Sequence, residues 1–423
     1  MHTIIHGDCL EELKKLEDSS VDAVICDPPY GLSNTKPAQV ADVLKAWVTG
    51  DTVSVPAKRG GFMGADWDSF VPPPAVWAEC MRVLKPGGHM AVFAGARTQD
   101  LMGLSIRLAG FEIRDTLGWV YGSGFPKSMD VSKAIDKKLD AKREELYRVK
   151  RTGKEHGTYG AYAGNNAVTA PATSDAQRWD GWGTALKPAI EPIILARKPL
   201  DGTVANNVLA HGVGGLNIDA CRIETTETLG RAKGGWGSKA VGADDYGRFN
   251  SLGVTKEGGR FPANVLLDEH AAKEMDKQSV GTRAEKPSKS GTAGATVQEA
   301  TWKCWHKPGE EIAGYNDSGG ASRFFPVFKY QAKAPKKERP VIVREDGTKV
   351  QHPTVKPLKL MEWLVTLITP EGGTVLDPFA GTGTTLQAAT NKGFNPIGIE
   401  ADTDYIQLIH QRLEGGEQST RNS

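Results

Sequence analysis

An α/β fold built on a mostly parallel sheet is what this 423-residue sequence predicts, on three observations. Short apolar runs that suit buried strands alternate with amphipathic segments through residues 1–125. The alternation returns between 374 and 400, where strand, Gly-containing turn, helix and second strand follow one another. Between these parts lies a Gly-rich stretch of weak periodicity, which suits an inserted, irregular region. The expected organisation is therefore 1–125 and 328–413 as two parts of one sheet domain, with 126–327 inserted between them. Within that insert, strand 190–196 is expected to return to the core sheet, and 414–423 reads as a flexible polar tail.

Taken in order, Thr3-Ile4-Ile5-His6 is a short strand, and Leu10, Leu13 and Leu16 put an apolar stripe on the helix that follows. Asp8 with Glu11 has the spacing of a capping box at that helix start. Val21 to Cys26 is an apolar strand, and 31–70 a long connection containing Arg59-Gly60-Gly61 and Asp66-Trp67-Asp68. Connections of that length inside a compact domain are usually functional or disordered. Ala75 to Val83 is amphipathic and is stopped by Lys85-Pro86-Gly87-Gly88. His89 to Ala94 and Phe111 to Val120 are further strands. Residues 126–187 open with a basic stretch that reads as helical and carries Lys127, Lys133, Arg143, Arg148 and Arg151 among Asp and Glu. A solvated helix with i,i+4 pairs is the plain reading of it. Leu358, Met361, Leu364, Val365 and Ile368 share a helix face after Pro357, a tolerated first-turn proline, and Gly372-Gly373 ends that helix.

Composition bounds the function less tightly. The formal net charge of +1 points to no partner, so any nucleic-acid argument must rest on local charge. Five scattered cysteines without a CxxC pair argue against a disulfide frame or a structural zinc site. Cys304-Trp305-His306 is too sparse for a metal centre, and no metal is expected. With no apolar run of spanning length and no charged-then-apolar leader, a cytoplasmic protein is expected.

Two motifs carry chemistry. Asp27-Pro28-Pro29-Tyr30 follows the apolar strand, and its prolines remove two donors and fix φ, so the chain leaves as a stiff arm. Such an arm offers a carboxylate, a carbonyl and an aromatic ring in fixed relation, the groups needed to grip a planar heterocycle bearing an exocyclic amine. A strand end followed by a Pro-rich turn is the plain alternative. Near the C-terminus, Val375-Leu376-Asp377-Pro378-Phe379-Ala380-Gly381-Thr382-Gly383-Thr384 runs from a strand through a glycine turn into a helix. Gly381 and Gly383 let the backbone approach a ligand, and the helix N-terminus offers amides. Glu400 ends the next strand, placed to accept the hydroxyls of a ribose. A dinucleotide fingerprint fits poorly, because the carboxylate of Asp377 beside the turn repels a pyrophosphate but suits a cofactor with a cationic ammonium.

Together these motifs resemble the amino-group DNA methyltransferases that use S-adenosylmethionine. With Asp27-Pro28-Pro29-Tyr30 first and Phe379-Ala380-Gly381-Thr382-Gly383 last, the order resembles their circularly permuted β group. Tyr121 to Ser128, Gly183 to Pro188, Lys333 to Arg339 and His352 to Pro357 resemble phage- and prophage-encoded members. The resemblance implies a Rossmann-like class I methyltransferase fold, circularly permuted, with 126–327 as the target-recognition region. It implies that S-adenosyl-L-methionine is held by Asp8, Cys9, Asp27, Thr354, Lys356, Asp377, Pro378, Phe379, Gly381, Gly383, Thr384 and Glu400. Asp8 matches the acid that reads the cofactor's adenine amine, with a helix N-cap as its local alternative. Asp27, Pro28, Pro29 and Tyr30 match the catalytic motif: Asp27 and the Pro28 carbonyl hold the amine for in-line transfer, and Tyr30 stacks on a base extruded from duplex DNA.

The leading aspartate favours adenine N6, as in a site-specific restriction-modification or orphan phage enzyme. N4 of cytosine is the alternative, followed by an RNA or protein amine and by an inactive DNA-binding homologue. No Pro-Cys dipeptide is present for C5-cytosine chemistry. Lys127, Arg143 and Arg151 are candidates for phosphate contacts and Trp179 and Trp182 for stacking or wedging, with buried core as the plain reading of each tryptophan. A homodimer is common in the group that the chain resembles.

Overall fold

The computed structural model describes all residues except 1, 34, 57–65, 123, 125–127, 149–166, 226–258, 280–287, 290–310, 313–318, 329–339, 345, 353–354 and 421–423. In chain order the elements are β1 (Thr3–His6), α1 (Cys9–Leu13), β2 (Val21–Cys26), α2 (Pro37–Val48), α3 (Pro74–Val83), β3 (Leu84–Phe93), α4 (Gln99–Leu108) and β4 (Glu112–Val120). Next come α5 (Val131–Lys138), β5 (Glu145–Arg148), β6 (Ala167–Thr169), α6 (Ser174–Arg178), β7 (Ile190–Arg197), α7 (Val204–His211), β8 (Val265–Asp268) and α8 (Glu269–Ser279). The pairs β9 (Ser288–Lys289) with β10 (Glu311–Ile312), and β12 (Ile342–Val343) with β13 (Lys349–Val350), flank β11 (Val327–Phe328). The chain closes with α9 (Leu358–Ile368), β14 (Thr374–Asp377), α10 (Thr384–Asn391), β15 (Asn395–Glu400) and α11 (Thr403–Thr420).

Among the described residues, nine strands form one sheet in the order β1-β15-β14-β2-β3-β7-β4-β8-β11. Every neighbouring pair is parallel except the two that β7 makes, with β3 and with β4. The predicted α/β architecture with a mostly parallel sheet is the one observed. Both faces are covered, which is why β2 reads as an unbroken apolar run. Val24 and Cys26 point into a core shared with α3 and α4 residues such as Trp77, Met102 and Ile106, while Ala23 and Ile25 pack on α9 through Leu360, Leu364 and Val365. The one acid in that strand, Asp22, is buried but satisfied by the Lys85 ammonium at 2.6 Å and the Thr374 amide at 2.7 Å.

The chain divides into two compact units, residues 1–122 with 190–423, and residues 123–189. The first contains the sheet. The second holds α5, α6 and the β5–β6 hairpin, and its interior is organised by Arg143. That guanidinium donates to Asp136 at 2.6 Å, to Ser132, and to the hydroxyl and carbonyl of Thr169.

Several expectations change. The basic stretch is helical only over Val131–Lys138, and Glu145–Arg148 pairs as a strand instead. Beyond β7, the region read as inserted supplies one more sheet strand, β8, because Leu266 and Leu267 are buried against β4, and β11 straddles its expected boundary at 327 and 328. Lys85-Pro86-Gly87-Gly88 does not precede β3 but bulges within it, since Val21 pairs with Leu84 and Ala23 already with His89. Helix α2 fills part of the 31–70 connection, starting at Pro37 and burying Val43 and Trp47. Helix α11 runs on to Thr420, into the segment read as a tail.

Candidate active site

In an open α/β sheet a ligand crevice forms outside the carboxyl ends of the strands, where the strand order reverses. Here that point lies between β14 and β2, which pair through Val375 with Ala23 and Leu376 with Val24. Asp27 and Asp377 therefore leave neighbouring strand ends.

The arm after β2 is pinned on both sides. The Tyr30 amide donates to Asp68 at 2.6 Å and the Gly31 amide to the same oxygen at 2.9 Å, while the Tyr30 carbonyl accepts the Thr98 hydroxyl at 2.6 Å. Asp68 is buried in a short 3₁₀ turn, Asp66–Asp68. Backbone fixed in this way pre-sets the direction of the arm and of the groups it carries.

Lys356 stands in the middle of the side chains at this arm. Its ammonium lies 3.1 Å from Asp27 Oδ2, 2.9 Å from Glu191 Oε2 and 2.9 Å from Tyr30 Oη. The Tyr30 hydroxyl also reaches Glu191, at 3.4 Å. Burial works against charge on Lys356, but Asp27 and Glu191 outweigh it and raise its pKa, so it stays an ammonium. Burial first, then the charges of Asp27 and Glu191, hold the Tyr30 phenol well above its usual range, so it remains a neutral donor.

The second motif forms the other wall. The Asp377 carboxylate accepts the Phe379 amide at 3.0 Å. Burial pushes this carboxyl up to about 7, and the charges of Asp27 and Glu400 add to the rise against the Thr385 hydroxyl and the Phe379 amide. Pro378 and Thr384 are buried, and the Phe379 ring packs on Trp77 at 6.1 Å between centroids. Gly381 and Gly383 have φ of 53° and 74°, the left-handed region that favours glycine. A Cβ at Gly383 would also meet Ile409 Cγ2 at 3.0 Å. Replacing Gly383 by Ala is expected to cost about 1–3 kcal/mol of stability and to weaken cofactor binding. Thermal melts with and without cofactor check this, and an unchanged melting temperature would refute it.

The turn is braced from two directions. Glu400 Oε2 accepts the Gly381 amide at 2.7 Å and Oε1 the Asp402 amide at 2.9 Å, while burial raises its pKa. From α11, the buried Arg412 donates to the Thr382 carbonyl at 2.7 Å. At the head of α1, Asp8 caps the helix by accepting the amides of Leu10 and Glu11. Glu11 pairs with Lys14 at 2.8 Å, so the capping is made by Asp8 while Glu11 turns to its neighbour. Cys9 is partly buried against the core, its thiol pushed up to about 12 by burial and by Asp8.

The sequence-predicted residues thus meet in one place for Asp27, Tyr30 and Lys356, and Lys356 faces the arm of residues 27–30. Thr354, Lys127 and Arg151, with Cys304 to His306, lie outside the described residues. Arg143 is turned inward, its guanidinium engaged in the interior of its own unit. Trp179 and Trp182 form an edge-to-face pair, centroids 4.9 Å apart, and are 40 % and 59 % exposed, so neither is core. Sequence reasoning missed Asp68, Thr98, Glu191 and Arg412. The acid-rich Asp66-Trp67-Asp68 was a signal for the first, while nothing local marks the others. Among the described residues no His, Cys, Asp and Glu cluster could hold a metal ion, and no helix is long and apolar enough to cross a membrane.

An open, mostly parallel sheet with a glycine turn after one strand, an acid after the next, and an Asp-Pro-Pro-Tyr arm on the neighbouring strand is the arrangement of an α/β enzyme with a nucleoside cofactor. The sequence pattern of the N6/N4 DNA methylase family matches residues 21–411, and the chain belongs to that family. It is an S-adenosylmethionine-dependent DNA methyltransferase. It is 22% identical over 433 residues to the type II methyltransferase M.HindIII of Haemophilus influenzae, covering 97% of this chain and 94% of that one. To the DNA adenine methyltransferase YhdJ of Escherichia coli it is 35% identical over 121 residues, 29% of this chain and 34% of YhdJ. Among solved structures, the complex of M1.HpyAVI with SAM aligns with a TM-score of 0.39 at 16% identity, over 98% of this chain and 99% of that one. The cytosine-N4-specific PvuII DNA methyltransferase aligns at 0.41 and 13% identity, over 97% and 85%.

Proposed function

We propose that this enzyme methylates the N6 amine of an adenine extruded from duplex DNA, by direct in-line transfer. The observation that carries the reading is the arm itself: Asp27 beside a rigidly pinned Pro28-Pro29-Tyr30, at the strand end next to Asp377. Two acceptors, the Asp27 carboxylate and the Pro28 carbonyl, would take both amine hydrogens. They would bias the nitrogen lone pair toward the donor, a gain of positioning and electrostatics. Tyr30 would stack on the ring. When bound, the cofactor supplies an electrophilic methyl on a sulfonium. Once the amine had taken that methyl, its surplus proton would leave toward Asp27 or water.

The chain's own chemistry fits that cofactor. Asp377 is a buried carboxyl whose raised pKa marks an uncompensated charge, the situation that a cationic ammonium relieves. The glycine turn would offer backbone close to the ligand, and Glu400, which braces that turn, would accept the ribose hydroxyls. Asp8 and Cys9 would border the adenine end. The exposed Trp179–Trp182 pair is the feature of residues 123–189 best suited to contact DNA. The leading aspartate of the arm favours adenine, and YhdJ is named for that base. M.HindIII and YhdJ come from bacteria, which favours action in the cytoplasm of a bacterial or phage-infected cell.

Incubating the enzyme with DNA and S-adenosylmethionine, then digesting to nucleosides, is expected to yield N6-methyladenine. N4-methylcytosine without N6-methyladenine would refute the choice of base.

A further inference from the structure

Lys356 and Glu191 stand beside the amine-gripping arm with a chemistry the transfer step itself does not need. Adenine and cytosine share one edge: an exocyclic amine, which donates, next to a ring nitrogen, which accepts. Guanine and thymine carry a carbonyl and a ring N–H in those places, an acceptor next to a donor. Asp27 is an acceptor, and 3.1 Å from its Oδ2 sits an ammonium, a donor. This acceptor–donor couple complements the amine-bearing edge and opposes the other.

We propose that Lys356 reads the ring nitrogen adjacent to the reacting amine, N1 of adenine, and that Glu191 is the positioning residue that holds Lys356 there. This rests on the adenine reading above and names a second recognition contact within it. An ammonium has three hydrogens. With no base present they go to Asp27, Glu191 and Tyr30. When the amine takes Asp27, the hydrogen that faced Asp27 is released toward the neighbouring ring nitrogen, while Glu191 and Tyr30 keep the other two. The side chain is 11 % exposed and lies over the Phe93 ring at 4.8 Å and the Tyr30 ring at 5.2 Å, so it has little freedom to leave. Glu191 occupies that position because β7 runs antiparallel between β3 and β4 and pairs Glu191 with Trp119.

Such a couple rejects guanine and thymine twice over, by facing a carbonyl with a carboxylate and an N–H with an ammonium. A buried group left unpaired, or set against its like, is costly. It does not separate adenine from cytosine.

The test uses a duplex oligonucleotide carrying the sequence context found by mapping methylated adenines, with the target adenine replaced by 1-deazaadenine, which has C–H in place of N1. Wild-type kcat/KM is expected to fall about 10- to 100-fold on the analogue, the scale of one charge-assisted hydrogen bond. In Lys356→Met, adenine turnover falls and the adenine-to-analogue ratio approaches one. Glu191→Gln lowers the ratio partway, and Glu191→Asp restores some of it, which a merely structural role would not do. Equal rates on both substrates with wild type overturn the proposal whatever the variants do. An undiminished ratio in Lys356→Met also overturns it, and one in Glu191→Gln removes Glu191 from it. If the mapping finds methylated cytosine and no methylated adenine, the adenine reading has failed, and the same pairing of cytosine with 3-deazacytosine in that context decides the role of Lys356.

Discussion

Asp27→Ala is expected to lower methyl transfer by about 10³-fold or more while leaving cofactor affinity intact. The loss is large because it removes the acceptor that meets developing charge on the amine, and a single preorganised group of this kind accounts for about 10²–10³ in rate. Further loss follows from the amine's freedom to turn. Cofactor binding survives for a specific reason. The charge of Asp27 is one of the influences that raise the Asp377 carboxyl, so its removal eases the ionisation that a cationic cofactor requires. The fold survives as well, because Lys356 keeps Glu191 at 2.9 Å and the arm remains pinned by Asp68 and Thr98. Single-turnover rates with calorimetric cofactor titration check both parts. Undiminished turnover would remove Asp27 from its role, and loss of cofactor binding would move that role to the other ligand.

Asp377→Asn is expected to abolish cofactor binding and yet to stabilise the cofactor-free protein at pH 8. The unfolded carboxyl titrates near 3.8 and the folded one near 7. A folded pKa above the unfolded one means that the group's stabilising contribution is full below about 4 and is lost as pH climbs through 7. Above that, the buried carboxylate costs the free protein a few kcal/mol, on the order of 1.4 kcal/mol for each pH unit between the two values. Asn keeps an oxygen for the Phe379 amide without the charge. In wild type the same linkage makes cofactor affinity weaken as pH falls below 7, approaching tenfold per pH unit, because the cation must displace a proton. Melting curves at pH 5 and 8, with cofactor titrations across that range, measure it. A variant less stable than wild type at pH 8, or a flat affinity profile, would refute the assignment.

Both motifs were legible because each is a local device: a strand, an abrupt end, and residues whose backbone limits or freedoms the next step requires. Asp27 to Tyr30 and Asp377 to Gly383 needed no knowledge of neighbours. Lys356 was singled out for the cofactor by its segment, while its contacts with Asp27, Tyr30 and Glu191 come from the arm after β2 and from β7, 326 and 165 residues away for Tyr30 and Glu191. Glu191 opens an apolar strand and looks like a surface residue there; only the antiparallel passage of β7 brings it to the arm. Asp68 and Arg412 work on backbone groups of distant segments, a service that leaves no periodic trace. The pattern of α2 was readable, with Val40, Val43, Leu44 and Trp47 spaced for one helix face, but the loop-like residues after it concealed it. Strand β8 is four residues long and follows a Gly-rich stretch, too short for its apolar run to stand out.

The permuted order carries a consequence for the enzyme's birth on the ribosome. Strand β1, made long before β15, pairs with it through Thr3 with Ile397 and His6 with Glu400. The Gly7 amide likewise waits for the Glu400 carbonyl, at 3.0 Å. Until those residues emerge, β1 is an open edge without its neighbour, and the turn at Gly381 and Gly383 does not yet exist. The Asp27-to-Tyr30 arm is synthesised long before that turn. A nascent chain therefore carries the Asp27 arm well before the Asp377 wall beside it, and the two stand together only once β14 and β15 are in place.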